Sequence, residues 1–202
     1  MFSCQLSPDL ELRLLESRYA RPLFRTVQQN RDCLDKWLPW VKHIENVDDM
    51  KDYIEFEQKR RELQQGFSAI ILEGGNPAGV VSYQELDWRN SKASLGYWLS
   101  ADCQGRGIMT LACKEMVQYA IVTLEMNRVE IRSRSDNVRS RSVAERLGFT
   151  LEGLLRQEER SGASFYDHAV YGMVASEWDR QKRARREAAG DSRGAAGATS
   201  EQ

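Results

Sequence analysis

The sequence predicts an α+β layer fold, and three observations carry that reading. The segments follow the mixed order β, two helices, three β, helix, β, helix, two β, which is not the repeated βαβ of a doubly wound sheet. Two tight turns, Glu73-Gly74-Gly75-Asn76 and Ser161-Gly162-Ala163, each join strand-like runs as a hairpin. Between an apolar strand and a long amphipathic helix lies Gln104-Gly105-Arg106-Gly107-Ile108-Met109, a glycine loop at a helix N-terminus.

The elements follow in order. Glu11-Leu12-Arg13-Leu14-Leu15 opens the fold as a strand. From about Ser17 to Leu34, Ala20, Leu23, Phe24, Val27 and Arg31 share one helical face. Trp37-Leu38-Pro39-Trp40 ends that helix, because proline disfavours helix at the residue before it. Asn46-Val47-Asp48-Asp49 supplies caps for a second helix over about 50–65, which Gly66 ends. Phe67–Leu72 and Ala78–Leu86 pair through the Gly-Gly turn, and Asp87–Ser91 leads into the strand Ala93–Leu99. Ile108, Leu111, Ala112, Met116, Tyr119 and Ala120 then form one apolar stripe at helical spacing. Arg128–Ser135 alternates, with Val129 and Ile131 facing inward. Asp136 or Asn137 caps a short helix that Gly148 ends. Phe149–Arg160 and Phe165–Val174 form the last hairpin. Residues 1–183 read as a single domain. From about 184 the composition turns to Gly, Ala, Ser and charge without an apolar period, and the tail 184–202 reads as disordered.

The chain has 202 residues and a formal net charge of −1, so it carries no global field toward nucleic acid or an anionic membrane. No apolar run approaches the roughly 20 residues that span a bilayer, and the N-terminus does not read as a secretory signal. Four scattered cysteines and two histidines argue against a metal site. They suit free thiols in a cytoplasmic protein.

The loop is the chemical centre of the sequence. At a helix N-terminus the first backbone N–H groups lack intrahelical acceptors. The helix dipole adds positive potential, and glycine lets a ligand approach the backbone. Such a corner cradles a pyrophosphate. It is not a Walker loop, since Ile108 and Met109 follow the second glycine where Lys and Ser/Thr belong. Nor is it a dinucleotide fingerprint, since Thr110 stands at the third glycine. The remaining pattern, Q-x-x-G-x-(small) with Met109 where Gly or Ala is usual, resembles the acetyl-CoA-binding motif of the GNAT N-acetyltransferases. The flanks agree in order: Leu95–Leu99 before the loop, Asn137-x-x-Ser140, then Ala144-x-x-Leu147-Gly148-Phe149. Trp37-Leu38-Pro39-Trp40, Glu152-Gly153, Asp167, Tyr171 and Glu177-Trp178 resemble the branch that acetylates the N-terminal serine or alanine of ribosomal proteins (RimJ/RimL type). The resemblance runs from about residue 8 to 179. It implies a mixed, mainly antiparallel central sheet flanked by helices, the GNAT acyl-CoA N-acyltransferase fold, with acetyl-CoA as cosubstrate. By analogy with the branch it also implies a homodimer.

The resemblance implies that strands splay beside the thioester, whose carbonyl lies against the backbone of Trp98 and Leu99. The cosubstrate set it implies is Trp98, Leu99, Gln104, Gly105, Arg106, Gly107, Ile108, Met109, Thr110, Asn137 and Ser140. In that set Arg106 adds charge to a phosphate. Asn137 and Ser140 project from one side of a helix start and also read as plain helix caps. The wider superfamily places a Tyr acid at the position of Ala144, which has no proton to give. Ser140 is the nearest replacement and matches the ribosomal branch. For the base, neighbouring strand residues Glu158 and Glu159 face opposite sides, and the branch pattern selects Glu159. A strand glutamate pairing with Arg156 or Arg160 is the bland alternative. Glu152, His168 and His43 rank below Glu159. Trp37, Trp40 and Trp88 are candidates to line an acceptor pocket, or else core anchors.

These residues point to acetyl transfer onto a primary amine by direct attack, since no side chain is arranged as an acyl-carrying nucleophile. The preferred acceptor is a protein N-terminal α-amine, whose pKa of about 7.7–8.0 lies below the roughly 10.4 of lysine. Alternatives are a small-molecule amine (antibiotic, peptide-nucleotide or polyamine) and a non-catalytic acyl-CoA sensor. A third is an RNA-binding role for Arg128, Arg132, Arg134, Arg139, Arg141 and Arg146, which alternation spreads over several faces.

Overall fold

The computed structural model describes residues 2–195. Its strands are β1 (Ser3–Ser7), β2 (Leu10–Leu14), β3 (Phe67–Glu73), β4 (Asn76–Asp87), β5 (Lys92–Leu99), β6 (Arg128–Arg134), β7 (Thr150–Ser161) and β8 (Ser164–Val174). The helices are α1 (Ala20–Gln29), α2 (Arg31–Asp35), α3 (Val47–Glu62), α4 (Ile108–Val122), α5 (Val138–Leu147) and α6 (Ala175–Ala195). All eight strands form one sheet in the order β1-β2-β3-β4-β5-β6-β8-β7. Every neighbouring pair is antiparallel except β5–β6, which is parallel. This is the mixed, mainly antiparallel α+β sheet that the sequence implied.

Local chemistry accounts for most boundaries. Gly74 and Gly75 have φ of 55° and 80°, the paired left-handed geometry that a two-residue hairpin turn requires. Asn46 and Asp49 form a reciprocal capping box at the start of α3. Gly148 ends α5 with φ of 81°. The helix expected over 17–34 is instead broken at Asn30. Its Nδ2 donates to the carbonyl of Thr26 (2.8 Å), and its Oδ1 accepts the Ala101 N–H (2.7 Å). The break therefore ties the α1–α2 corner to the segment entering the glycine loop. Strand β1 was not anticipated, although Phe2, Cys4 and Leu6 alternate with polar residues and pack against the core. Within α4 the buried stripe is Ile108, Met109, Ala112, Cys113, Met116, Val117, Ala120 and Ile121, whereas Leu111 is exposed.

The chain from 184 to 195, expected to be disordered, continues α6, where Ala, Arg and Glu are strong helix formers. The rest of that expected tail, 196–202, lies outside the described residues. Among the described residues no helix is long and apolar enough to cross a membrane.

Two cores sandwich the sheet. One face packs against α4 and α5, with Trp178 of α6 buried in the same core. The other face is covered by α1–α3 over β3–β5, where Ile70, Leu72, Val80 and Trp98 pack against Leu23, Val27, Met50 and Ile54. That covering stops at β5. On β6 the corresponding face carries Arg128, Glu130, Arg132 and Arg134, alternating with the inward Val129 and Ile131.

Candidate active site

The site begins where the sheet opens. The β5–β6 pairing runs from Lys92↔Arg128 to Leu95↔Ile131 and ends there. Both strands continue: β5 stays paired to β4 as far as Leu99, and β6 stays paired to β8 as far as Arg134. Gly96–Leu99 and Arg132–Arg134 thus form the two walls of a cleft.

Antiparallel alternation decides which backbone groups face it. Ser100 N–H donates to the Ala78 carbonyl (2.8 Å). With Val80↔Trp98 two residues back in the same register, the peptide groups of Trp98 point to β4. Those of Tyr97 and Leu99 point into the cleft. Of the two backbones expected beside the thioester, that of Leu99 faces the cleft and that of Trp98 is paired with β4. Trp98 contributes its buried indole, whose Nε1 has no hydrogen-bond partner among the described residues. Across the cleft on β6, the buried Ser133 hydroxyl is likewise unpartnered. Buried polar atoms are rarely left so unless a ligand or water completes them.

The glycine loop closes the end of the cleft. Gly105 and Gly107 have φ of 75° and 77°, and a Cβ built on either would meet nothing within 4 Å. The loop surface is therefore open, and no side chain caps the N-terminus of α4. Ile108 and Met109 are buried in the core below, so the methionine that departs from the expected small residue anchors the loop without obstructing it. Thr110 lies half-buried in the first turn. Gln104 spans the mouth: its Nε2 donates to the Leu99 carbonyl (3.1 Å), and its Oε1 accepts from Arg139 of α5 (2.6 Å). Arg106 does not lie free for phosphate. It forms a bidentate pair with Glu73 at the end of β3 (2.9 and 2.5 Å). An open amide cradle with the Arg139 guanidinium beside it fits the pyrophosphate of a coenzyme A thioester.

On the α4 side of the sheet, Asn137 caps α5 by accepting the Ser140 N–H (3.1 Å). Ser140 Oγ donates to the Tyr97 hydroxyl (3.3 Å), which itself donates to the Ser140 carbonyl (2.9 Å). Burial holds the Tyr97 phenol well above its ordinary pKa, so it stays protonated. Ala144 is fully buried. This chain lacks at Ala144 the hydroxyl that the superfamily pattern places there, and the paired hydroxyls of Ser140 and Tyr97 lie on the same side of the sheet.

On the opposite face, Glu159 depends on a bulge in β7. Leu155 pairs His168 and Glu159 pairs Tyr166, so three residues of β7 oppose Asp167 alone. The bulge places Gln157 at φ 56°, and its N–H is accepted by the Asp167 carboxylate (2.8 Å). Glu159, Tyr166, His168 and Arg134 then share one face. Glu159 Oε2 lies 2.9 Å from His168 Nε2, and Glu159 Oε1 lies 3.9 Å from Arg134 Nη1. The Arg134 guanidinium is sandwiched by Tyr166 (3.3 Å to the ring centroid) and Trp37 (5.0 Å), and it pairs with Asp136 (2.7 Å). Among the described residues neither Arg156 nor Arg160, the partners of the bland alternative, pairs with Glu159. Glu158 is more exposed and faces Arg132 at 3.9 Å, while Glu152 is held by Arg128.

The three tryptophans separate. Trp37 joins Glu159 through Arg134. Trp40 stacks on Tyr53 of α3 (4.8 Å, 9°) and lines a cavity of about 540 Å³ with His43, Asp49, Asp52 and Arg60. Trp88 is excluded from the cleft. It sits exposed at the β4–β5 turn and donates to the Gln64 carbonyl, the length of β5 away from Leu99. Among the described residues no cluster of three His, Cys, Asp or Glu is arranged to hold a metal ion.

The model of the acetyltransferase (GNAT) domain family matches residues 9–150, well over half of the chain. The chain belongs to the GNAT acetyltransferase family. Among its relatives, YdaF of Bacillus subtilis (strain 168) is 34% identical over 90% of this chain and 100% of its own length. Among solved structures, the microcin C7 self-immunity acetyltransferase MccE in complex with acetyl-CoA and AMP aligns with a TM-score of 0.80 and 30% identity, covering 84% of this chain and 94% of that one. The ribosomal L7/L12 α-N-protein acetyltransferase RimL in complex with coenzyme A aligns with a TM-score of 0.83 and 26% identity, covering 87% and 99%. As a GNAT N-acetyltransferase the chain uses acetyl-CoA as its acetyl donor. Two features of this GNAT site escaped sequence reasoning. Tyr97 was read only as part of the apolar strand Leu95–Leu99, and Arg134 only as one arginine among many. Alternation along β6 puts Arg134 on the face away from the α4 core, but nothing local pairs it with Glu159.

Proposed function

We propose that the chain acetylates a protein N-terminal α-amine, such as that of a ribosomal protein, by direct attack within a ternary complex. The observation that carries this reading is the placement of Glu159 and Ser140 on opposite faces of the sheet, flanking the β5–β6 cleft. The loop amides of 105–110 hold the pyrophosphate, Asn137 Nδ2 meets the pantetheine, and Leu99 N–H faces the thioester carbonyl. The amine approaches past Trp37, and Glu159 takes its proton as the C–N bond forms. Collapse of the tetrahedral intermediate breaks the C–S bond, and the departing thiolate receives a proton from the half-buried Ser140 hydroxyl, which water then re-protonates. Holding both reactants in line supplies much of the rate.

The RimL likeness supports a ribosomal acceptor. The MccE likeness favours a second reading, a small-molecule amine. Incubation with labelled acetyl-CoA and a panel of N-terminal peptides, polyamines and aminoacyl-nucleotides separates them. Preferential labelling of peptides is expected, and labelling of small amines alone would overturn the assignment. Coenzyme A binding without label transfer to any amine would indicate a sensor. We also propose a cytoplasmic homodimer, seated on edge strand β7 with its exposed Leu151 and Leu154. Light scattering at twice the monomer mass is the expected result.

A further inference from the structure

Glu159 and His168 meet only because of the β7 bulge. Without it, the residue opposite Tyr166 would be Gln157 and not Glu159. With it, the half-buried carboxylate receives the imidazole on one oxygen at 2.9 Å, while its other oxygen faces Arg134 at 3.9 Å, beyond hydrogen-bond range. The charged and titratable groups around the pair are Arg134 on β6 with its partner Asp136, Tyr166 on β8, and Glu158 on β7 with its partner Arg132. None of these touches Glu159 Oε2.

We infer that His168 is a positioning residue for the proton-accepting carboxylate, a role that rests on the reading of Glu159 as base. In the tautomer protonated at Nε2, its N–H fixes Oε2 and thereby the carboxylate rotation. Oε1 is left as the oxygen that takes the amine proton. A carboxylate free to rotate is in productive geometry for only part of the time, and fixing it raises turnover without changing cosubstrate binding.

The test uses whichever amine of the panel above is acetylated fastest. His168→Ala is expected to lower kcat by about 10–100-fold and to leave acetyl-CoA affinity, measured by calorimetry, within about twofold. His168→Gln, whose amide nitrogen reaches the place of Nε2 but does not titrate, is expected to restore most of kcat with an unshifted pH profile. Glu159→Gln is expected to lower kcat further, and the double variant Glu159→Gln/His168→Ala to be no slower than Glu159→Gln alone, since groups acting as one unit are not additive. Wild-type kcat in His168→Ala, a His168→Gln variant as slow as His168→Ala, or additive losses would each overturn the inference. Wild-type kcat in Glu159→Gln would overturn both the base and the inference. A slow Glu159→Gln beside unaffected His168 variants would overturn the inference alone. If His168→Ala fails to fold, His168→Gln and the pH profile still decide.

Discussion

At the scale of single residues, Gly107 and Glu73 set how the loop meets the cosubstrate. Gly107→Val adds a branched side chain to an open surface at a positive φ. It is expected to cost about 1–2 kcal/mol of stability, and calorimetry should find acetyl-CoA binding lost while circular dichroism stays native. Glu73 holds the Arg106 guanidinium of the loop in a bidentate pair, out of competition for an anion. Glu73→Gln is therefore expected to tighten acetyl-CoA binding by a few fold at low salt, and the gain should shrink as ionic strength screens the contact. The glycines were legible in the sequence, because a left-handed turn at a helix start has a local signature. The Arg106–Glu73 pair was not. Its partners are 33 residues apart and meet only when β3 ends beside the loop. For the same reason Tyr97 and Ser140, 43 residues apart, gave no signal as a pair.

At the scale of elements, the decisive one is the β7–β8 hairpin. The choice between Glu158 and Glu159 could not be read from alternation, because Glu158 belongs to a bulge that interrupts the alternation just before Glu159. The branch pattern chose Glu159, and Asp167 is the physical reason that the strand can present it: its carboxylate caps the displaced Gln157 N–H. Asp167→Ala is expected to destabilise by about 1 kcal/mol, the scale of one exposed hydrogen bond. It should also lower kcat by more than a comparable loss of stability elsewhere, as checked by urea melts beside steady-state kinetics. Asp167→Asn keeps an acceptor oxygen and should retain most of both. Capped helices and the Gly-Gly hairpin were legible element by element, with boundaries shifted by a few residues. The break at Asn30 was not, since it is held by a backbone amide 71 residues downstream.

At the scale of the whole molecule, the open face of β6–β8–β7 carries a chain of ion pairs, Arg132–Glu130–Arg128–Glu152. Burial pushes the Glu130 carboxyl up, but hydrogen bonds from Arg128 and Arg132 outweigh it and hold the group below its ordinary value. Arg128 likewise lowers Glu152. Carboxyls lowered in the folded state bind protons more readily when unfolded, so their contribution is complete above the ordinary carboxylate pKa and declines as pH falls through their folded values. Urea midpoints are expected to hold steady from neutrality to about pH 5 and to fall below about pH 4. Glu130→Gln should flatten that acid limb. The mixed, mainly antiparallel sheet followed from the family resemblance, whereas this uncovered charged face followed from neither propensity nor motif. The two halves of the sheet share a ladder of four residue pairs between β5 and β6 and then part. An extended pantetheine, with amides of its own, can zip into the gap as a surrogate strand. The cosubstrate would then be a piece of architecture as well as a reagent, slowing hydrogen exchange along Gly96–Leu99 and raising the melting temperature in proportion to the logarithm of its concentration.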